Sequence, residues 1–145
     1  MPSPASPSPW LGRRALQVAV ALGSLSPLGF GLAGVVQGPA MVLPEGTPVP
    51  ADLDSHWRFL SGIFFGVGLV FLSTVPAIER RTALFRAAGA AIVAGGLGRL
   101  YSLLAVGTPT LPHLIGLGAE LVLVPLLILW QARVAMRDCG AAADR

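Results

Sequence analysis

The sequence predicts an all-α protein, a four-helix transmembrane bundle with both termini on the cytoplasmic side. Three observations predict it. The chain of 145 residues is 54% hydrophobic and only 12% charged, with a mean hydropathy of +0.73. An average soluble domain carries roughly 25% charged residues, so a soluble chain of this make-up would lack the polar surface to cover itself. The apolar residues fall in four runs, each close to the ~20 residues that a helix needs to cross a ~30 Å hydrocarbon core. The arginines gather at alternate ends of those runs, which sets the orientation.

Residues 1–9, "MPSPASPSP", alternate proline with small residues and open a Pro/Ser-rich segment, 1–12. The first nine have nothing to bury, and the segment is expected to be disordered. The integral membrane domain is expected over 13–135. Its first helix, about 15–37, is "ALQVAVALGSLSPLGFGLAGVVQ". The preceding "GRR" resembles the start of an export signal, but a signal's apolar core runs to about 7–15 residues. This run is longer and no small-x-small cleavage site follows, so it reads as a retained helix. The second, third and fourth helices are expected at about 56–78, 83–106 and 112–134, and a cytoplasmic tail at 136–145. In a bilayer the backbone must satisfy its own hydrogen bonds, which makes helices the expected form. The runs do not alternate apolar and polar residues, which argues against strands.

All ten basic residues are arginines. Arg13 and Arg14 precede helix one, Arg80, Arg81 and Arg86 surround the turn between helices two and three, and Arg133, Arg137 and Arg145 follow helix four. The other side carries Glu45, Asp52 and Asp54 and an uncharged "TPT". The positive-inside rule places the arginine side in the cytoplasm. Trp57 and Trp130, and Trp10 ahead of helix one, sit near run ends, as interfacial tryptophans do. The basic residues form no stripe, so nucleic acid is not an expected partner. The single Cys139 excludes an internal disulfide and a cysteine-based zinc site. Small residues at four-residue spacing (Gly34 and Gly38; Gly62 and Gly66; Ala87, Ala91 and Gly95) fit close helix packing. The connecting segment 38–55, rich in proline and glycine, reads as a loop that either folds over the outer mouth or swings free.

Two charges lie deep inside apolar runs. Arg99 is about eight residues from the outer end of helix three, or roughly 12 Å down, and Glu120 is nine residues into helix four, or roughly 13 Å. Opposite charges at equal depth on adjacent antiparallel helices are expected to pair, since an isolated charge there is costly and an arginine–carboxylate pair relieves much of that cost. Helical spacing adds His113 on the Glu120 face, Ser102 on the Arg99 face, and Asp54, Arg58 and Ser61 on helix two, with His56 nearby. The expected site is thus a polar cluster in the outer half, Asp54, His56, Arg58, Ser61, Arg99, Ser102, His113 and Glu120, serving binding or structure. No residue is assigned a catalytic role: no nucleophile motif surrounds the serines. The isolated histidines and a glutamate beside arginines suit no metal, and "AGGLGRL" does not fit a nucleotide loop. No cofactor is expected.

The stretches "LDSHWRFLSGIFFGVGL", "IERRTALFR", "GGLGRLYSLLAVGTP" and "ELVLVPLLILWQARV" resemble the bacterial four-helix membrane family catalogued as domain of unknown function 4345. The likeness runs from helix one to the end of helix four and leaves out the first nine residues and the tail after Ala135. It implies an integral membrane protein and brings no established activity. Its polar motif positions map to Asp54, His56, Arg58, Arg99 and Glu120.

The functional expectation is a small binding or accessory protein of the bacterial cytoplasmic membrane. Its expected partners are the lipid bilayer, a small anionic or amphiphilic ligand, and a membrane protein or a second copy of the chain. A transporter-like subunit acting as an oligomer and a membrane enzyme are the alternatives. Both are weakened by the lack of a second deep acid for a proton relay or hydrolytic dyad.

Overall fold

The computed structural model describes residues 9–143. Five α-helices follow one another: α1 (Pro9–Gln37), α2 (Ala51–Thr74), α3 (Thr82–Val106), α4 (Leu111–Gly118) and α5 (Val124–Ala143). A π-turn, Ala119–Leu123, joins α4 to α5 without a break, so the chain has four helices of membrane length. No strand occurs among the described residues. Four segments, Gly12–Met41, Ala51–Ala77, Thr82–Val106 and Leu111–Asp138, are long and apolar enough to cross a bilayer. Their side chains face outward to an extent a soluble protein would not tolerate: Leu104 is 77% and Val106 86% exposed.

Several boundaries differ from the sequence reading. The first helix starts at Pro9; the rest of the expected unstructured start, 1–8, lies outside the described residues. Helix α2 starts at Ala51, five residues early, because Pro50 supplies an extended entry and its carbonyl accepts from the Asp54 N–H at 3.0 Å. Asp52 and Asp54 then sit in the first turn, where carboxylates complement the helix dipole. The last helix runs on to Ala143, so the described part of the expected tail is helical. The π-turn has a cause in Pro125. Proline has no N–H and its ring collides with the carbonyl four residues back, here Leu121, inside the widened turn.

The chain divides into two compact units, residues 19–75 and the remainder. In the first, α1 and α2 pack closely through glycine. A Cβ on Gly31 would lie 2.6 Å from the Phe65 backbone nitrogen, and one on Gly68 3.0 Å from the Leu28 side chain. Helix α1 ends at Gln37, and Gly38 follows it with a φ of 64°, the left-handed conformation that terminates helices.

In the second unit α3 runs antiparallel to the α4–α5 helix. Thr82 is level with Gln131, Gly89 with Ile128 and Gly96 with Glu120 and Leu121. The close-packing glycines of α3 are therefore Gly89 and Gly96. The expected Gly95 faces open space, as does Gly66 in the other unit. At the far end Gln131, fully buried, donates through Nε2 to the Ile78 carbonyl and to Thr82 Oγ1, both at 2.8 Å. Beside it the Glu79 side chain, 5% exposed, lies 2.9 Å from Arg13 Nε and 3.9 Å from Arg80 Nε, and Arg13 also donates to the Pro76 carbonyl. This node ties the start of α1, the turn before α3 and the middle of α5 together.

Candidate functional site

The eight expected site residues separate by unit into two ion pairs and four single residues. In the α1–α2 unit, Arg58 forms a two-pronged pair with Asp54: Nε donates to Oδ2 at 2.7 Å and the second terminal nitrogen to Oδ1 at 3.0 Å. Its remaining terminal nitrogen donates to the Val35 carbonyl and, at 3.0 Å, to that of Val36. The last carbonyls of a helix have no intrahelical partner, and a basic side chain there satisfies them and complements the dipole. All three nitrogens of Arg58 are thus engaged in closing α1, and Gly38 fits under the pair because a Cβ would lie 2.6 Å from Asp54 Oδ1. Arg58 is a helix clamp, with no nitrogen left over for a ligand.

Replacing it tests the clamp. Arg58→Ala is expected to lower the thermal midpoint of the detergent-purified protein and to speed amide exchange at residues 37–43 selectively. Uniform exchange along the chain would contradict the clamp.

Ser61 is half-buried and faces Gly34, whose Cβ would collide with its Oγ. His56 is exposed and makes no hydrogen bond or ion pair among the described residues.

In the other unit, Arg99 Nε donates to Glu120 Oε1 at 2.9 Å, so the depth-matched pair is formed. Its surroundings are asymmetric. The Arg99 side chain is 43% exposed and that of Glu120 only 12%. Glu120 Oε2 is buried without a hydrogen-bond partner. The two terminal nitrogens of Arg99 make no hydrogen bond among the described residues. An arginine–carboxylate pair usually closes as a two-pronged fork; this one is held by a single prong. Gly96 and the π-turn explain why the groups meet there. A Cβ on Gly96 would lie 2.9 Å from Glu120 Cβ, and the wide turn carries Glu120 at its second position. Ser102 is exposed one turn above Arg99. His113 is also exposed, and its Nδ1 lies 3.0 Å from Thr110 Oγ1 at the start of α4. Seven residues, roughly 10 Å of helix, separate it from Glu120, so it is not part of the pair.

Two residues that hold the structure were missed from sequence, Glu79 and Gln131. Gln131 did carry a signal, as the lone amide within the apolar run "LVPLLILWQARV".

Four bilayer-length apolar helices with a charge pair at matching depth define a multi-pass membrane protein. Its particular family follows from comparison. Residues 15–131 match the family described as domain of unknown function (DUF4345), and the chain belongs to it. No curated protein and no solved structure matches the chain.

Proposed function

We propose that this chain is a small binding or accessory protein of the bacterial cytoplasmic membrane, with both termini inside, and that Arg99 receives a small anionic or amphiphilic ligand from the outer side. The observation that carries the reading is the half-closed pair. Arg99 engages Glu120 through Nε alone, and a guanidinium with two terminal nitrogens to spare is a fork fitted to a carboxylate or phosphate. Charged groups inside membrane spans are functional candidates by default. The saturated Arg58 makes Arg99 the better candidate of the two. Orientation rests on the arginine distribution. Acid–base chemistry or a proton pathway finds less support, because the other acids described in that unit, Glu79 and Asp138, belong to its opposite end.

Native mass spectrometry of the detergent-purified protein tests this. A co-purifying anionic species is expected on the wild type, lost in Arg99→Gln and retained in Glu120→Gln, which frees the guanidinium. A wild-type spectrum showing only apo protein and bulk lipid would leave the pair a purely structural element.

A further inference from the structure

The end of the second unit that holds the Glu79–Gln131 node is strongly basic. Seven described arginines lie at it against two acids, Glu79 and Asp138, a net charge of +5. Glu79 is already engaged by Arg13. Three of the arginines, Arg86, Arg133 and Arg137, are exposed and make no hydrogen bond or ion pair among the described residues.

Their levels can be read from the packing. Thr82 bonds Gln131, so Arg133 lies about 3 Å beyond that level, Arg137 about 9 Å beyond it, and Arg86 about 6 Å inside it. From Arg86 to Val106 at the other end of α3 is about 30 Å at helical rise, which matches a hydrocarbon core. Arg86 thus marks the edge of the core, where its stem can lie along apolar surface while the guanidinium reaches outward. Arg133 and Arg137, about 9 and 15 Å beyond that edge, start at and past the outer limit of the headgroup layer, and their long side chains reach back into it. Trp130, next to Gln131, occupies the level at which interfacial tryptophans concentrate. The three lie on two helices of the unit. Arg133 and Arg137, four residues apart, share one face of α5, turned about 200° and 240° from buried Gln131 by helical geometry, and Arg86 is on α3. A protein partner covers one facet, whereas lipid surrounds a membrane protein.

We propose that this arginine end binds the headgroups of anionic glycerophospholipids, with Arg86, Arg133 and Arg137 holding lipid phosphates. The claim rests on the membrane-spanning reading and is independent of any ligand at Arg99. Each arginine near an anionic surface contributes about a fivefold preference, so the three together give the protein a selective anionic shell.

The full chain is reconstituted in vesicles of equal parts phosphatidylglycerol and phosphatidylcholine, with bromine-labelled acyl chains on one lipid at a time. Quenching of tryptophan fluorescence then reports the preference for each lipid. Phosphatidylglycerol is expected to win by at least about fivefold. The triple variant R86Q/R133Q/R137Q is expected to bring the ratio close to parity. R86K/R133K/R137K should keep it, and Arg99→Gln should leave it unchanged while abolishing the ligand of the outer pair. An even ratio in the wild type, or a preserved preference in the glutamine variant, overturns the proposal. So does displacement by inorganic phosphate beyond that by sodium chloride of equal ionic strength, which would assign the arginines to a soluble anion. If the glutamine variant fails to fold by circular dichroism, a wild-type preference that persists in high salt overturns it instead.

Discussion

Arg99→Gln is expected to destabilise the protein by about 3 kcal/mol and Glu120→Gln by about 1 to 2 kcal/mol, although both remove the same ion pair. Removing one partner of a buried pair costs about 3 to 5 kcal/mol, because the other charge is left uncompensated. Here the two partners are unequally placed. Glu120 is 12% exposed with one oxygen already unpartnered, so losing Arg99 leaves a carboxylate with neither oxygen satisfied. Arg99 is 43% exposed, with seven residues, about 10 Å, to the end of α3. Without Glu120 its long stem can carry the guanidinium toward the interface. The double variant R99Q/E120Q should be more stable than Arg99→Gln alone, because replacing both charges removes the desolvation cost as well as the attraction. The charge-swapped R99E/E120R should recover only part of the loss, since it sets a larger side chain against Gly96. Unfolding in mixed micelles measures all four variants. A double variant no better than Arg99→Gln would show that the two residues are not coupled.

The pair was legible in the sequence because depth in a membrane is a one-dimensional quantity. Counting residues from the ends of two apolar runs places Arg99 and Glu120 at one level before any packing is known. What counting does not supply is azimuth. The repeat Ala87, Ala91, Gly95 points to a packing stripe, yet α3 meets its neighbour through Gly89 and Gly96. One residue turns a helix by 100°, so Gly95 and Gly96 look interchangeable in depth and differ entirely in what they touch. The π-turn belongs to the same class of omission. It shifts the phase of everything beyond it, and its signal, a proline inside an apolar run, was present at Pro125. Arg58 shows a different limit. Its spacing from Asp54 was readable, but the carbonyls of Val35 and Val36 that it closes come from the end of another helix. The Glu79 node is the least local of all. "IERR" reads as a charged turn marking topology; the burial of its acid depends on Arg13, more than sixty residues earlier.

Gly96→Val is the substitution expected to do most damage for the least change in polarity. A Cβ there would stand 2.8 Å from Leu121 Cδ2 and 2.9 Å from Glu120 Cβ. The leucine tip can turn aside. Glu120 Cβ is fixed to the backbone of the π-turn and moves only if the helices part. Overpacking of this kind costs about 1 to 3 kcal/mol. Parting α3 from the π-turn also withdraws the dispersion contact that holds membrane helices together and stretches the single prong from Arg99 to Glu120. The total expected is about 3 to 4 kcal/mol, the sum of that overpacking and a partly lost ion pair. Because the second component is the pair itself, the two substitutions should not add. In a Gly96→Val background, Arg99→Gln should cost less than half of what it costs alone, a coupling of the size seen between contacting residues. Gly95→Val, one position away and facing open space, should be tolerated. Unfolding of the single and double variants in mixed micelles decides the matter. Full additivity would mean that Gly96 packs α3 without positioning the ion pair, and equal damage from Gly95→Val would mean that the helix face is assigned wrongly.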